Sequence, residues 1–381
     1  MAEANALLLD GSSIRLGGQV TRIRAFLRRF RDYDPDSRVV VTEEDFAVSR
    51  MFADRPDLEF VNRLGAGAAR AARRMMWQNI GLPGLCRERR ATVYLHFSHY
   101  LPYGLPAGTR TIVGVANLQP FSVEGRAAEV CLDKRFRLAV LERTILSSVR
   151  RADSVIALSE ECKSVLVARG IDDRKVSVIP NGVEQPGAIE EVDIDAVLQR
   201  CGIVREFVLY VSHFYRYKNF ERLVRAYGAM PDQCRNRYSL VLVGVPHHKE
   251  CWDAVSTIVA ALGLGEKVIM IPGLDTQSLN ALYRRCTLFA FPSLVENCPN
   301  ILLEAMANGA PVIAGDIAPM PEFGGNAAEY FDPLDERSMT GTLMRVLGDR
   351  PLLQKMSDLG RNRALAYTWG AFTRAVVDLY R

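Results

Sequence analysis

The sequence of this 381-residue chain predicts an α/β protein built from two doubly wound domains. Length is the first reason, because single hydrophobic cores stop growing at roughly 250–300 residues. The second is an alternation of short apolar runs with longer amphipathic segments, the pattern of repeated strand–helix–strand units. The third is a break near residues 184–191, where Pro186 and Gly187 interrupt the alternation before an acidic stretch.

In the first half, residues 6–9, 39–42, 92–96, 111–115, 154–157 and 176–179 read as strands. Helical segments such as 19–30 and 127–150 separate them. In the second half the strands are 207–212, 239–243, 268–271, 288–291 and 311–314, with helices at 220–230, 249–262, 278–285 and 299–308. The domains expected are residues 1–186 and 190–365. The halves share architecture, not sequence, and no repeat with a period of 20–50 residues is found.

Composition narrows the class. A chain with 49% hydrophobic and 24% charged residues is ordinary for a globular enzyme. No stretch approaches the roughly 18 apolar residues of a membrane span. The apolar run at residues 6–9 has no basic leader and reads as a buried strand, not a signal peptide. Eight scattered cysteines without a CxxC pair suit a reduced, cytoplasmic protein. His247 and His248 are adjacent, a poor arrangement for one metal ion, so no metal site is expected.

Charge divides unevenly. Residues 1–186 carry 28 Lys+Arg against 22 Asp+Glu, and the remainder 20 against 22. A basic first half fits an anionic partner such as a phospholipid surface or a lipid-phosphate acceptor, and equally a set of arginine-rich solvated helices. No nucleic-acid partner is expected.

The most informative segment runs from Ser293 to Gly309, Ser-Leu-Val-Glu-Asn-Cys-Pro-Asn-Ile-Leu-Leu-Glu-Ala-Met-Ala-Asn-Gly. Pro292 stops a strand, Pro299 suits a first helical turn with Asn297 or Cys298 as cap, and Gly309 suits the residue past the helix end. The helix therefore opens at the C-terminal edge of a sheet, where open α/β sheets bind ligands. Backbone N–H groups of Asn300, Ile301 and Leu302 can receive a diphosphate there. Glu296 and Glu304 bracket the opening, and carboxylates accept well from vicinal hydroxyls. A phosphate site flanked by hydroxyl acceptors suits a nucleotide sugar. Alone, the same pair fits a capping Glu and a surface Glu.

The Glu296–x7–Glu304 string resembles the signature of the retaining family 4 glycosyltransferases. Further likenesses follow in the family's order: Gly17-Gly18, Ala157-Leu-Ser-Glu160, Val178-Ile-Pro-Asn-Gly-Val183, Tyr217-Lys218-Asn219, Pro321-Glu322-Phe-Gly-Gly325, Tyr330-Phe-Asp-Pro333 and Trp369. They cover nearly the whole chain. The resemblance implies the GT-B fold, with two facing Rossmann-like domains, an interdomain cleft, and a C-terminal crossover helix at about residues 366–381 that packs back on the first domain.

By this likeness Glu296 contacts the donor sugar, Glu304 the ribose, and Lys218 the departing diphosphate. The family's usual Arg, five residues before that Lys, is replaced by His213; Arg216 is expected as the second cation because it is always charged. Gly17 and Gly18 allow close backbone approach to the donor. Gly273 and Leu274 lie where relatives seat the base. The family's first-domain His is missing from Gly114-Val-Ala-Asn-Leu-Gln-Pro-Phe121, where Ala116 or Asn117 stands, and Asn117 is expected to contact the donor. Ser159 and Glu160 are left as a helix cap and first turn. Neither His96 nor His99 is assigned chemistry. Asp34-x-Asp36 is read as a Pro-interrupted surface turn and not a metal motif.

The implied activity is metal-independent retaining transfer of a hexose from a nucleotide-diphosphate sugar, with GDP-mannose favoured over UDP- or dTDP-sugars. The acceptor is a glycan or a polyprenyl-diphosphate-linked oligosaccharide. Residues 70–90, which mix arginines with Met75, Met76 and Trp77, are expected at a membrane surface, making the protein peripheral at the inner face of the cell membrane. The alternative is a non-catalytic nucleotide-sugar-binding subunit, prompted by the missing His. No GxGxxG follows a strand, which removes the dinucleotide oxidoreductases.

Overall fold

The computed structural model describes residues 6–12, 18–43, 48–61, 70–129, 131–185 and 193–381. These divide into two compact units. One comprises Met1–Pro120, Phe136–Gly182 and Trp369–Arg381, the other Phe121–Arg135 and Val183–Thr368.

The first unit holds β1 (Ala6–Asp10), β2 (Arg38–Thr42), β3 (Leu58–Val61), β4 (Val93–His96), β5 (Arg110–Gly114), β6 (Ser154–Ala157) and β7 (Val176–Val178). They form one parallel sheet in the order β3-β2-β1-β4-β5-β6-β7. The central strands are continuous apolar runs such as Leu7-Leu8-Leu9 and Val39-Val40-Val41, buried as a parallel sheet covered on both faces requires. The order reverses between β1 and β4. The final helix, Trp369–Asp378, belongs to this unit: Phe372 packs 5.5 Å from the Phe97 ring, and the Tyr380 hydroxyl donates to Asp34 at 2.8 Å. Asp34 is therefore buried and holds the chain terminus, in place of the surface turn expected for it.

The second unit holds β8 (Glu206–Val211), β9 (Tyr238–Val243), β10 (Val268–Ile271), β11 (Leu288–Phe291), β12 (Val312–Gly315) and β13 (Ala328–Phe331). Its parallel sheet runs β10-β9-β8-β11-β12-β13 and reverses between β8 and β11. Phe121–Arg135 clusters here although the sequence division put it in the first half. One helix expected at 127–150 is two, Val123–Ala127 and Leu132–Arg151, and the first is capped by the Ser122 hydroxyl. The break near residues 184–191 lies largely outside the described residues.

Backbone packing at the edge of this sheet is tight. A Cβ at Gly244, just past β9, would stand 1.6 Å from the Ser212 carbonyl oxygen just past β8. Only glycine lets these two loops leave the sheet side by side.

Candidate donor-binding site

The C-terminal ends of β8 and β11 mark the point where the second sheet reverses, and chains leaving neighbouring strands in opposite directions open a crevice there. Beyond β8 the chain makes a short turn, Arg216–Lys218, and Asn219 then adopts a left-handed conformation (φ 61°) before helix Phe220–Gly228. Asparagine tolerates that conformation, and here its side-chain amide donates to the carbonyls of Pro292 (3.0 Å) and Pro333 (2.7 Å). Below the turn, Phe214 stacks on Phe220 at 4.1 Å and the Tyr210 hydroxyl donates to the Lys218 carbonyl at 2.8 Å. The turn rests on a fixed aromatic floor.

The loop after β11 is tied to this turn, since the Leu294 N–H donates to the Tyr217 carbonyl at 2.8 Å. The two loops bring Lys218 and Glu296 together. Lys218 Nζ lies 2.5 Å from Glu296 Oε1, with the side chains 11% and 12% exposed. The ammonium also stands 5.1 Å from the centre of the Tyr217 ring. Burial, then the Glu296 charge, pushes the Tyr217 hydroxyl well above its ordinary pKa, so it remains a neutral donor.

The helix beyond Glu296 is Asn300–Ala307, with Pro299 at the cap position itself and no side chain capping it. The cap position falls on Pro299, where Asn297 or Cys298 was expected, so the proline precedes the first turn and does not lie within it. Pro299 itself has no side-chain cap to offer, and of the first-turn N–H groups that of Asn300 donates to the Cys298 carbonyl at 2.8 Å, which leaves Ile301 and Leu302 as the diphosphate donors the sequence expected alongside it. The helix ends as expected: Gly309 is left-handed (φ 81°), its N–H bonds the Met306 carbonyl and the Ala310 N–H bonds Ala305.

Glu304 sits one turn inside this helix. Protein surrounds its carboxyl, leaving it partly accessible, and burial pushes its pKa up to about 7. Gly273, after β10, takes φ 111°, which a side chain disfavours, and Leu274 beside it is half-buried against the core.

Arg216 is exposed, and its charge acts on Cys251. His213 is the basic group within the Lys218 field; desolvation, then His247 and Lys218, hold its pKa down. Its ring meets His247 edge-on at 4.6 Å. No local pattern signals this pairing, since the two residues come from different strand ends.

In the first unit, Gly18 is the exposed first residue of helix Gly18–Arg29, while Gly17 lies outside the described residues. The side-chain oxygen of Asn117 accepts from the Gln119 N–H at 2.9 Å. Buried Asp10, at the end of β1, accepts from Thr42 (2.7 Å), Tyr94 (2.8 Å) and the Ser12 N–H (3.0 Å). His96 lies 3.8 Å away, its pKa lowered by desolvation, and burial pushes His99 down to about 4. Ser159 caps its helix by accepting from Cys162 N–H, as expected. Buried Arg22, which the sequence did not single out, donates to Asn181 (2.7 Å) and the Phe97 carbonyl (2.8 Å). The bond to Asn181 ties the Pro180-Asn181-Gly182 segment to helix Gly18–Arg29.

Among the described residues no group of three His, Cys, Asp or Glu side chains is placed to hold a metal ion, and no helix is long and apolar enough to cross a membrane. A cavity of about 840 Å³ lies at the opposite, N-terminal edge of the second sheet, near Phe207, Thr287 and Pro311. Two of its arginines, Arg284 and Arg361, lie against Asn308 and Gly309 at the end of helix Asn300–Ala307.

The profile of the family described as Glycosyl transferases group 1 matches residues 204–363, and that described as Glycosyltransferase Family 4 matches residues 16–185. The chain belongs to the family 4 glycosyltransferases. It is 26% identical over 251 residues to the serotype-specific mannosyltransferase WbdA of Escherichia coli, covering 65% of this chain and 30% of that one. Against the O-antigen chain mannosyltransferase B of Escherichia coli the identity is 24%, covering 64% and 65%. The chain thus spans less than two thirds of the length of these relatives. Among solved structures, Anabaena HepE in complex with UDP and glucose superposes with a TM-score of 0.76 at 17% identity, covering 98% of this chain and 99% of that one. WaaG, a glycosyltransferase involved in lipopolysaccharide biosynthesis, gives 0.72 at 16%, covering 98% and 99%. These structural likenesses show the GT-B fold.

Proposed function

We propose that this glycosyltransferase moves a hexose, with retention, from a nucleotide-diphosphate sugar to a glycan or polyprenyl-diphosphate-linked acceptor. The reading is carried by the buried Lys218–Glu296 pair at the reversal point of the second sheet, beside the N-terminus of helix Asn300–Ala307. The N–H groups of Ile301 and Leu302 take the diphosphate, that of Asn300 being bonded to the Cys298 carbonyl, while Glu304 takes the ribose, Glu296 the sugar hydroxyls, and Gly273 with Leu274 the base. The bond from the anomeric carbon to phosphate oxygen breaks, and the acceptor oxygen bonds that carbon on the same face. The acceptor proton passes to the departing phosphate. Lys218 meets the charge that grows on the leaving group, assisted by Arg216. Gly17, Gly18 and Asn117 serve the donor from the first unit. No metal is needed in this scheme.

GDP-mannose is the proposed donor, because the relatives in hand are named mannosyltransferases. A thermal-shift panel of GDP-, UDP- and dTDP-hexoses tests this, with GDP-mannose expected to give the largest shift. A larger shift with a UDP-sugar overturns the donor assignment and leaves the transferase reading standing.

The protein is proposed to work in the cytoplasm, at the inner face of the membrane. Helix Arg70–Met76 and the helical residues after it expose Met75, Met76 and Ile80, while Trp77 is buried. Sedimentation with vesicles containing anionic lipid tests the contact, and Met75→Ser with Ile80→Ser is expected to weaken it. Equal sedimentation of parent and variant removes this helix as the contact.

A further inference from the structure

One buried group in the second unit has no structural partner. Tyr283 is 1% exposed, yet its hydroxyl makes no hydrogen bond. A buried hydroxyl normally finds a partner, so an orphan asks for a reason. The Phe289 ring meets Tyr283 edge-on at 5.6 Å and holds it in place.

The surroundings supply a reason. Tyr283 lies on helix Thr276–Arg285, between Asn280 one turn earlier and the adjacent Arg284. Asn308 Nδ2 donates to Asn280 Oδ1 at 3.1 Å, and Arg284 Nε donates to Asn308 Oδ1 at 3.2 Å. Asn308 Nδ2 also donates to the carbonyl of Glu304, one turn back along its own helix, at 3.0 Å. These bonds lock the face bearing Tyr283 against the end of the helix that carries Glu304. The Glu304 carboxyl acts on Tyr283: desolvation first, then Glu304, raises the tyrosine pKa well above its ordinary value. Burial is what raises the Glu304 carboxyl.

We infer that Tyr283 is a positioning residue for Glu304, its hydroxyl donating to the carboxylate from the protein side while the nucleotide's ribose hydroxyls approach from the accessible side. The inference rests on the proposed role of Glu304. The orphan hydroxyl then serves the nucleotide-bound carboxylate, fixing its orientation and favouring its ionised form. Of the other charged side chains described on elements packed against that helix, Glu322 is half-buried on helix Met320–Gly324 and the rest are bonded elsewhere or exposed. Arg363 bonds the Glu322 and Phe323 carbonyls, Arg361 lies over Gly309, and Arg285, Arg350, Lys355 and Asp358 face solvent.

Tyr283→Phe in the full chain tests this by removing only the hydroxyl. The probe is whichever of GDP, UDP and dTDP the parent binds most tightly, titrated from pH 5.5 to 8.5. Affinity at pH 8 is expected to fall at least threefold, and the acid limb of binding to move up by half a unit or more. Melting temperature should hold or rise, because the lost group was unbonded. In a Glu304→Gln background the same change should have no effect on affinity. Unchanged affinity and pH profile in Tyr283→Phe overturns the inference. If Glu304→Gln itself leaves affinity intact, the proposed role of Glu304 fails instead. Should Tyr283→Phe not fold, 3-fluorotyrosine at position 283 is expected to change its fluorine shift when nucleotide is added, and a constant shift counts against the proposal.

Discussion

Lys218 Nζ and Glu296 Oε1 stand 2.5 Å apart, joining two loops that leave neighbouring strands of the second sheet. With both side chains about nine-tenths buried, neither charge is well solvated alone. The pair therefore orients the cation while adding little net stability, as buried ion pairs commonly do.

Removing one partner should be costly in stability. Glu296→Gln is expected to destabilise the second unit by roughly 3 kcal/mol, because it leaves the Lys218 charge without its acceptor. Lys218→Met combined with Glu296→Gln should recover much of that loss. Chemical denaturation of the single and double variants measures it, and a double variant no more stable than either single one refutes the pairing.

Glu304 gives a pH dependence whose two signs oppose. Its carboxyl titrates near 7 in the folded chain against about 4.5 unfolded, so the folded state binds the extra proton between those values. Without nucleotide, stability should fall as pH rises from about 4.5 to 7, by up to about 3 kcal/mol. Nucleotide affinity should rise through the same upper range if Glu304 holds the ribose as proposed, because hydroxyls donate to the ionised form. Denaturation and binding titrations from pH 5 to 8.5 check both, and Glu304→Gln should flatten both slopes. A Glu304→Ala chain should bind nucleotide more weakly by roughly 1–3 kcal/mol at pH 8.

Two glycines should respond oppositely. Gly244→Ala forces a Cβ to within 1.6 Å of the Ser212 carbonyl and must displace both loops. A loss of about 3 kcal/mol or more is expected, with nucleotide binding weakened. Gly341, exposed inside helix Glu336–Leu347, has open space at its Cβ, so Gly341→Ala should stabilise by about 0.5–1 kcal/mol. Thermal melts decide both.

The helix Trp369–Asp378 offers a control distant in sequence from the loops that carry Lys218 and Glu296. Asp34→Asn weakens the acceptor for Tyr380 and Arg381. A stability loss of about 1–2 kcal/mol is expected, with nucleotide affinity unchanged. A changed affinity would show that this anchor bears on the donor site.

Most strands were legible as apolar runs, because both faces of a parallel sheet are covered. The two that were missed, β3 and β13, are edge strands of four residues in which only the end positions are buried. Glu59 and Glu329 in their centres break the apolar run, as polar residues on sheet edges do. The Lys218–Glu296 pair came from motifs 78 positions apart, and only the strand order β8-β11 makes them neighbours. The orphan hydroxyl of Tyr283 and the raised pKa of Glu304 depend on how two helices meet, which no local pattern encodes.

Stabilisation of a leaving diphosphate by Lys218 is read from the rate of nucleotide-diphosphate release from a saturating nucleotide sugar. A cation beside growing negative charge matters more in the transition state than in the ground state. Lys218→Met is therefore expected to lower that rate about a hundredfold, with donor affinity changed only a few-fold. Near-normal release by Lys218→Met, or no release by the parent from any GDP-, UDP- or dTDP-hexose, with or without a glycan acceptor, would contradict the account.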